Sequence, residues 1–305
     1  MGISIKRSGF LKSLAALPAL ALTGTPGFPA LPAKANPPAA PGLKISLNAY
    51  SFNDPLAKGD MSLDGLLEFC STHGFDAVDL TGYYFPGYPT VPSDEYIYHV
   101  KRMAFRLGLD ISGTGVRNDF TEPDPSKRKL QVALVKNWID VAAKLGAPVI
   151  RIFSGVQNPK GFSRAEVEAW MVRDIQECVA FAQTRGVIVG IQNHNDFIRT
   201  ADDVLGIFKK VKSEWFGLVL DIGSYQTGDV YSQVKETAPF AVNWQIKENV
   251  FVDGKEVATD LDKIFAIVKG SGYRGYLPIE TLGAGDPKIK VPKFLEKVRI
   301  ALKKD

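Results

Sequence analysis

Side chains able to move protons or grip hydroxyl groups recur in this chain at the ends of short apolar runs. Gln192, Asn193 and His194 close one run, Asp221 a second, Gln245 and Lys247 a third, and Glu280 a fourth. Arg151 and Asp79 stand slightly further back in two more. Carboxylates, lysine and histidine transfer protons or stabilise developing negative charge, while amides and arginine bind oxygens. A charge that ends an apolar strand is costly unless it is paired or coordinated, since a neutral residue would pack there more cheaply. That cost argues for function at Asp221 and Glu280. Asp79 and Arg151 have two readings of equal weight, a buried ion pair bracing neighbouring strands or contacts to a substrate.

These residues need a scaffold that brings strand ends together. Short β-rich runs occur at Lys44–Tyr50, Phe75–Leu80, Leu109–Thr114, Pro148–Phe153, Val187–Gln192, Phe216–Asp221, Ala241–Lys247 and Gly275–Glu280. Helical patterns lie between them, among them Leu63–His73, Lys127–Leu145, Arg164–Arg185 and Leu261–Lys269. Several open on Ser or Asp and stop at Gly, as capping requires. Eight strand–helix units in about 260 residues predict an α/β fold, a (β/α)8 TIM barrel, with its site at the C-terminal ends of the strands. A doubly wound sheet would carry a glycine-rich phosphate turn after its first strand, where this chain has Asn48-Ala49-Tyr50-Ser51-Phe52. Gly113-Thr114-Gly115 lacks the third glycine, so no nucleotide cofactor is expected.

Because alternate strand residues share a face, Gly190, Gln192 and His194 should point inward together. The same parity groups Val219 with Asp221, Asn243 and Gln245 with Lys247, and Tyr276 and Pro278 with Glu280. His194 is one of three histidines, and the polar Gln192, Asn193, Asn195 and Asp196 around it suggest substrate contact. His73 and His99 fall in helical patterns. The connection Thr81-Gly82-Tyr83-Tyr84-Phe85-Pro86-Gly87-Tyr88 is rich in rings that suit the face of a sugar, although loop packing explains them nearly as well.

The 305 residues are 45% hydrophobic and 23% charged, ordinary values for one globular domain. The formal charge of +4 comes partly from the two ends and forms no basic stripe, so nucleic acid is not an expected partner. Lys6 and Arg7 precede an apolar run from Leu14 to Leu22 that is too short to span a bilayer. With Ala33-Lys34-Ala35 as a cleavage site, residues 1–35 read as a signal peptide and the mature chain is expected in the periplasm. The segment loosely resembles a twin-arginine signal, with Lys6 in place of one arginine and an extra residue before Phe10. No cysteine near the cleavage site supports a lipid anchor, and no stable membrane anchor is expected. Residues 36–43 form a Pro/Ala-rich leader and 44–305 the barrel. Cys70 and Cys178, the two cysteines, are expected as buried thiols without a bridge.

Assembled in this way, the strand ends resemble the xylose isomerase-like barrel superfamily of sugar phosphate isomerases and epimerases over nearly all of the mature chain. Gly190-Ile191-Gln192-Asn193-His194 resembles its fifth-strand Glu-Asn-His, and Leu220-Asp221-Ile222-Gly223 its sixth-strand Asp turn. Asn243-Trp244-Gln245-Ile246-Lys247-Glu248 is similar to its seventh-strand His-x-Lys-Asp, and Leu277-Pro278-Ile279-Glu280 to its closing glutamate. The resemblance implies a divalent metal, Mg or Mn, held at Gln192, Asp221, Gln245 and Glu280. Two of those positions depart from the pattern, because Gln192 replaces Glu and Gln245 replaces His. An amide brings neither charge nor basicity, so any metal there is expected to be weakly held, and Zn does not suit the set.

The same change limits the chemistry. Inverting a carbon calls for a proton acceptor on each face of the substrate, and Gln192 cannot serve as one. One carboxylate suffices if Glu280 removes a proton beside a carbonyl while Lys247, His194 or Arg151 stabilises the enolate oxygen. Gln192, Asn193, Arg151, Tyr83 and Tyr84 are then expected to bind the substrate. Export points to an unphosphorylated sugar or keto-sugar, and Gly283-Ala284-Gly285 is the nearest approach to a phosphate cradle. The sequence therefore predicts a carbohydrate isomerase or epimerase-like enzyme. A lyase acting on keto-glycosides and a non-catalytic sugar-binding barrel are the alternatives. A third reading, a hydrolase with a serine nucleophile, lacks both a Gly-x-Ser-x-Gly elbow and a clear histidine partner.

Overall fold

Strand-forming and helix-capping sequence alternate along the chain, and the computed structural model, which describes residues 42–304, shows what that alternation builds. The strands β1 (Lys44–Asn48), β2 (Ala77–Thr81), β3 (Asp110–Gly115), β4 (Val149–Ile152), β5 (Ile188–Gln192), β6 (Phe216–Asp221), β7 (Ala241–Lys247) and β10 (Tyr276–Glu280) are all parallel. They close in the order β1-β10-β7-β6-β5-β4-β3-β2, so the (β/α)8 barrel read from the sequence is the observed fold. Strand ends differ from the expected ones by a residue or two. The expected signal peptide and most of the leader lie outside the described residues.

Helices α2 (Leu63–Thr72), α3 (Asp94–Arg106), α4 (Pro125–Leu145), α5 (Arg164–Gln183), α6 (Ala201–Lys210), α7 (Val230–Thr237), α8 (Leu261–Ser271) and α9 (Pro287–Leu302) surround the barrel, with a short α1 (Asn53–Lys58) after β1. Their starts are chemically marked. Ser163 and Glu166 form a reciprocal capping box at α5, satisfying two backbone donors that the helix itself leaves open. Asp124 caps α4 ahead of Pro125, which lacks the donor that position would waste.

Alternation along the strands sorts the two sides of the barrel wall. Leu47, Leu80, Ile152, Ile191, Leu220, Ile246 and Ile279 are buried beneath the helices with Leu66, Ile97, Val135 and Ile264. Inside, the lower barrel is filled rather than open. A Cβ on Gly190 would lie 2.7 Å from Val219, and one on Gly217 only 2.2 Å from Val242. Polar side chains therefore stand on a solid apolar floor. Cys70 and Cys178 are both free and buried, as expected, and burial pushes each thiol well above its ordinary value.

Besides the short α1, the hairpin of β8 (Asn249–Val252) and β9 (Lys255–Ala258) that follows β7 has no counterpart in the sequence reading. Its turn is Asp253-Gly254 at φ 51° and 71°. That two-residue Asp-Gly turn matches the twist of the strands it joins, and it is a recognisable hairpin signal. Strands this short and exposed carry too little apolar periodicity to stand out.

Candidate active site

Register brings the polar strand ends together. Glu280 pairs with Lys247 across β10 and β7, Asp221 pairs with Gln245 across β6 and β7, and Gln192 lies beside Val219, two residues before Asp221. The side chains meet accordingly. Lys247 Nζ lies 2.5 Å from Glu280 Oε1 and 3.2 Å from Asp221 Oδ2. Gln192 Nε2 donates to Asp221 Oδ2 and to Gln245 Oε1, both at 2.8 Å. Side-chain exposure is 12% at Lys247, 1% at Asp221 and 4% at Glu280, so these charges answer to one another more than to water. Burial works against the Lys247 ammonium, but Asp221 and then Glu280 outweigh it, and its pKa is held above the ordinary lysine range.

A second polar layer lies below. Asn243 Nδ2 donates to Asp79 Oδ2 at 3.0 Å. Burial pushes the Asp79 carboxyl up to about 6, with Arg151 pulling it partly back and Glu280 pushing it further. The ion pair read as one option for Asp79 and Arg151 is not made. Arg151 instead donates to Val116 O and to Tyr83 Oη, each at 2.7 Å, and lies 4.1 Å from the Phe153 ring centroid. Gly113 and Gly115 have their explanation here. A Cβ on Gly113 would come within 2.7 Å of Asp79 Oδ2, and one on Gly115 within 2.8 Å of Arg151 Nε.

Above this floor opens a cavity of about 230 Å³, lined by Gln192, Gln245, Lys247, Glu280, Arg151, Tyr83 and His194 among others. Of the expected site residues, these seven are brought together. His194 stands past the end of β5 on the rim, 47% exposed, its ring tilted against Phe153 with centroids 4.5 Å apart, and 3.6 Å from Asp196. Asn195 behind it adopts a left-handed φ of 56°, which Asn tolerates well. Asp221 lies beneath the cavity and borders a second opening of about 390 Å³, shared with Lys247 and Glu280 and flanked by Phe251 of the hairpin.

Two residues expected to touch substrate, Asn193 and Tyr84, do not line the cavity. Asn193 is fully buried and spends its amide on the backbone of Asp221, accepting from its N–H and donating to its carbonyl, each at 2.9 Å. It ties β5 to β6. The Tyr84 hydroxyl donates to Asn53 Oδ1 at 2.9 Å, and its ring does not line the cavity. Loop packing takes most of the aromatic segment, since Phe85 meets Trp138 of α4 edge-on and Tyr88 packs tilted against it. Of the segment's rings, Tyr83 reaches the cavity, beside Thr81 at the end of β2.

The sequence reading missed Asn48, Tyr50, Arg117 and Phe153, which also line it. Asn48 had the same signal as Asp221 and Glu280, a polar residue ending an apolar strand. Arg117 follows β3 on a loop, where no periodicity marks it. The Gly283–Gly285 turn lines a separate cavity of about 490 Å³, whose Lys290 is paired with Glu248 at 3.3 Å.

The four positions at which the resemblance implied a divalent metal do not suit one. Mg binds oxygens at about 2.1 Å, and the space between Asp221 Oδ2 and Glu280 Oε1 is taken by the Lys247 ammonium. Gln192 turns its NH₂ toward Asp221, and its other hydrogen occupies the Gln245 carbonyl. Among the described residues, no group of three or more His, Cys, Asp or Glu is spaced to hold a metal.

The folds of several solved proteins are similar. A xylose isomerase domain protein from Planctomyces limnophilus superposes with a TM-score of 0.67 at 19% identity, covering 86% of this chain and 98% of that one. D-psicose 3-epimerase from Clostridium cellulolyticum H10, solved with D-tagatose, gives 0.71 at 16% identity over 86% and 100%. 3-keto-D-glucoside 4-epimerase from E. coli gives 0.69 at 14% identity over 85% and 99%. At such identities the likeness is one of fold. No curated protein matches the sequence. The sequence itself matches the xylose isomerase-like TIM barrel over residues 67–298, and the chain belongs to that family.

Proposed function

We propose that this protein is a carbohydrate isomerase or epimerase-like enzyme that removes a proton beside the carbonyl of an unphosphorylated sugar or keto-sugar. The observation that carries this reading is the Glu280–Lys247 pair in a small polar cavity. Glu280 and Lys247 line both this cavity of about 230 Å³ and the opening of about 390 Å³ beside it, room for a small sugar. Glu280 keeps Oε2 without a hydrogen-bond partner among the described residues, while Oε1 is held by Lys247. Oε2 takes the proton from carbon, the C–H electron pair becomes the C=C bond of an enolate, and the carbonyl π pair moves onto oxygen. Lys247 stabilises that oxygen. Passage of the adjacent hydroxyl proton to the enolate oxygen and return of the carbon-bound proton to the former carbonyl carbon, whose C=C pair takes it up as the new C=O forms, complete an isomerisation. Family membership and the sugar epimerases among the structural neighbours support a carbohydrate substrate, and the export signal read in residues 1–35 supports an unphosphorylated one.

His194 favours a second reading, elimination. A histidine on the cavity rim is suited to hand a proton to a departing β-oxygen, as a lyase acting on a keto-glycoside requires.

Deuterium uptake from D₂O into a panel of sugars, keto-sugars and keto-glycosides, followed by NMR, tests both readings. Wild-type protein is expected to label or transform at least one compound, and Glu280→Gln to slow this on the order of a hundredfold or more. Unchanged turnover in Glu280→Gln would end the assignment of the base. Measurable sugar binding without labelling of any compound would instead identify a non-catalytic binding barrel.

A further inference from the structure

The rim of β5, β6, β7 and β10 encloses a cation, and that cation is part of the chain. We propose that the Lys247 ammonium is the resident electrophile of this site, standing where a divalent ion would sit, so that the protein works without a metal. The inference rests on the Glu280–Lys247 reading of the chemistry, but its evidence is separate.

Space, donors and charge all favour the ammonium. Nζ contacts both carboxylates that face the site, at 2.5 and 3.2 Å, and no second cation can share that volume. The neighbouring groups are arranged around an ammonium rather than a metal. Gln192 presents N–H donors toward Asp221 and Gln245, where a metal would demand oxygen lone pairs. Asp221 Oδ1 is engaged by the Gly223 N–H at 2.9 Å, which leaves no carboxylate oxygen of Asp221 free. Two carboxylates around one lysine leave a net charge of −1, with one oxygen of Glu280 to spare. The lysine satisfies the pair while keeping that oxygen available as a base. A flexible side chain also differs from an ion in that it cannot be removed by dialysis or chelation.

The arrangement further implies a latent metal site. Lys247→Met vacates the cation position. Adding Gln192→Glu supplies a third carboxylate and removes the N–H that occupies the Gln245 carbonyl, leaving Glu, Asp, Glu and an amide oxygen for a hard cation.

Manganese titration followed by electron paramagnetic resonance tests the proposal, with elemental analysis of the protein as purified. Wild-type protein is expected to carry no stoichiometric divalent metal and to bind Mn²⁺ no tighter than millimolar. The Lys247→Met/Gln192→Glu variant is expected to bind one Mn²⁺ at least a hundredfold more tightly, and circular dichroism checks that it is folded. Retention of one equivalent of metal by wild-type protein, released by Asp221→Asn, overturns the proposal whether or not the double variant folds. A folded double variant with no gain in Mn²⁺ affinity overturns it as well. These readouts do not depend on turnover: if no sugar is labelled, the proposed reaction falls while the Mn²⁺ result still decides the identity of the cation.

Discussion

Asp79 is the group whose titration this fold changes most legibly, and Asp79→Asn isolates it. The carboxyl is buried under the site, and its pKa rises from the ordinary 3.8 to about 6. A raised acid means that the folded chain holds the proton more tightly than the unfolded one. Asp79 therefore costs nothing below about pH 4, becomes destabilising as pH climbs through the interval from 4 to 6, and imposes its full cost above that. At 1.36 kcal/mol per pH unit the full cost is about 3 kcal/mol. Asp79→Asn removes the charge and keeps an oxygen to accept the Asn243 N–H. The variant is expected to be more stable than wild type by up to about 3 kcal/mol at pH 7.5, roughly 6–12 °C in Tm for a domain of this size, and equal to it near pH 4. Urea unfolding of both proteins from pH 4 to pH 8 measures the difference directly. A stability difference that does not change with pH, or a variant less stable than wild type at pH 7.5, would refute the burial argument.

Three further outcomes are expected from the same geometry. Lys247→Met leaves Asp221 and Glu280 buried without their counter-ion and should cost about 3–5 kcal/mol in chemical unfolding, whereas a loss under about 1 kcal/mol would show that the pair is not truly desolvated. Gly113→Ala places a methyl group 2.7 Å from Asp79 Oδ2 and should destabilise by about 1–3 kcal/mol, read in the same urea experiment. Glu280→Gln keeps an oxygen that can accept from Lys247, so it should lose turnover in the deuterium assay with a smaller change in Tm than Lys247→Met.

The barrel was legible because each of its strands is a contiguous β-rich run followed by a capped helix, a signal carried by neighbours in sequence. Inward parity was legible for the same reason, and it correctly grouped Gln192, Asp221, Gln245, Lys247 and Glu280 before any of them was seen to touch. Alternation holds for two residues past β5, where His194 borders the cavity and Asn193 faces away from it, and it gives no guide in the loop after β2. Asn193, one residue past β5, turns into the wall and bonds to Asp221, and Tyr84 turns toward Asn53 while its neighbour Tyr83 reaches the cavity. Arg117 and Phe153 escaped notice because each follows a strand on a loop, where the direction of a side chain depends on contacts made by other segments. The Lys247 bridge could not be read from sequence at all, since it depends on the register of three strands and on where a long, flexible side chain comes to rest.

The in-register pairing of Lys247 with Glu280 bears on assembly as well as chemistry. β10 meets β7 through only two register pairs, Ile279 with Ile246 and Glu280 with Lys247, and the hairpin and α8 lie between those strands in the chain. A slip of one residue in either strand would exchange the faces of its whole side-chain set, sending a charge into the apolar layer under the helices and an isoleucine into the cavity. The ion pair thus serves as a checksum on barrel closure: a chain that joins this seam out of step pays for an unmatched charge, and only the correctly joined barrel acquires the site.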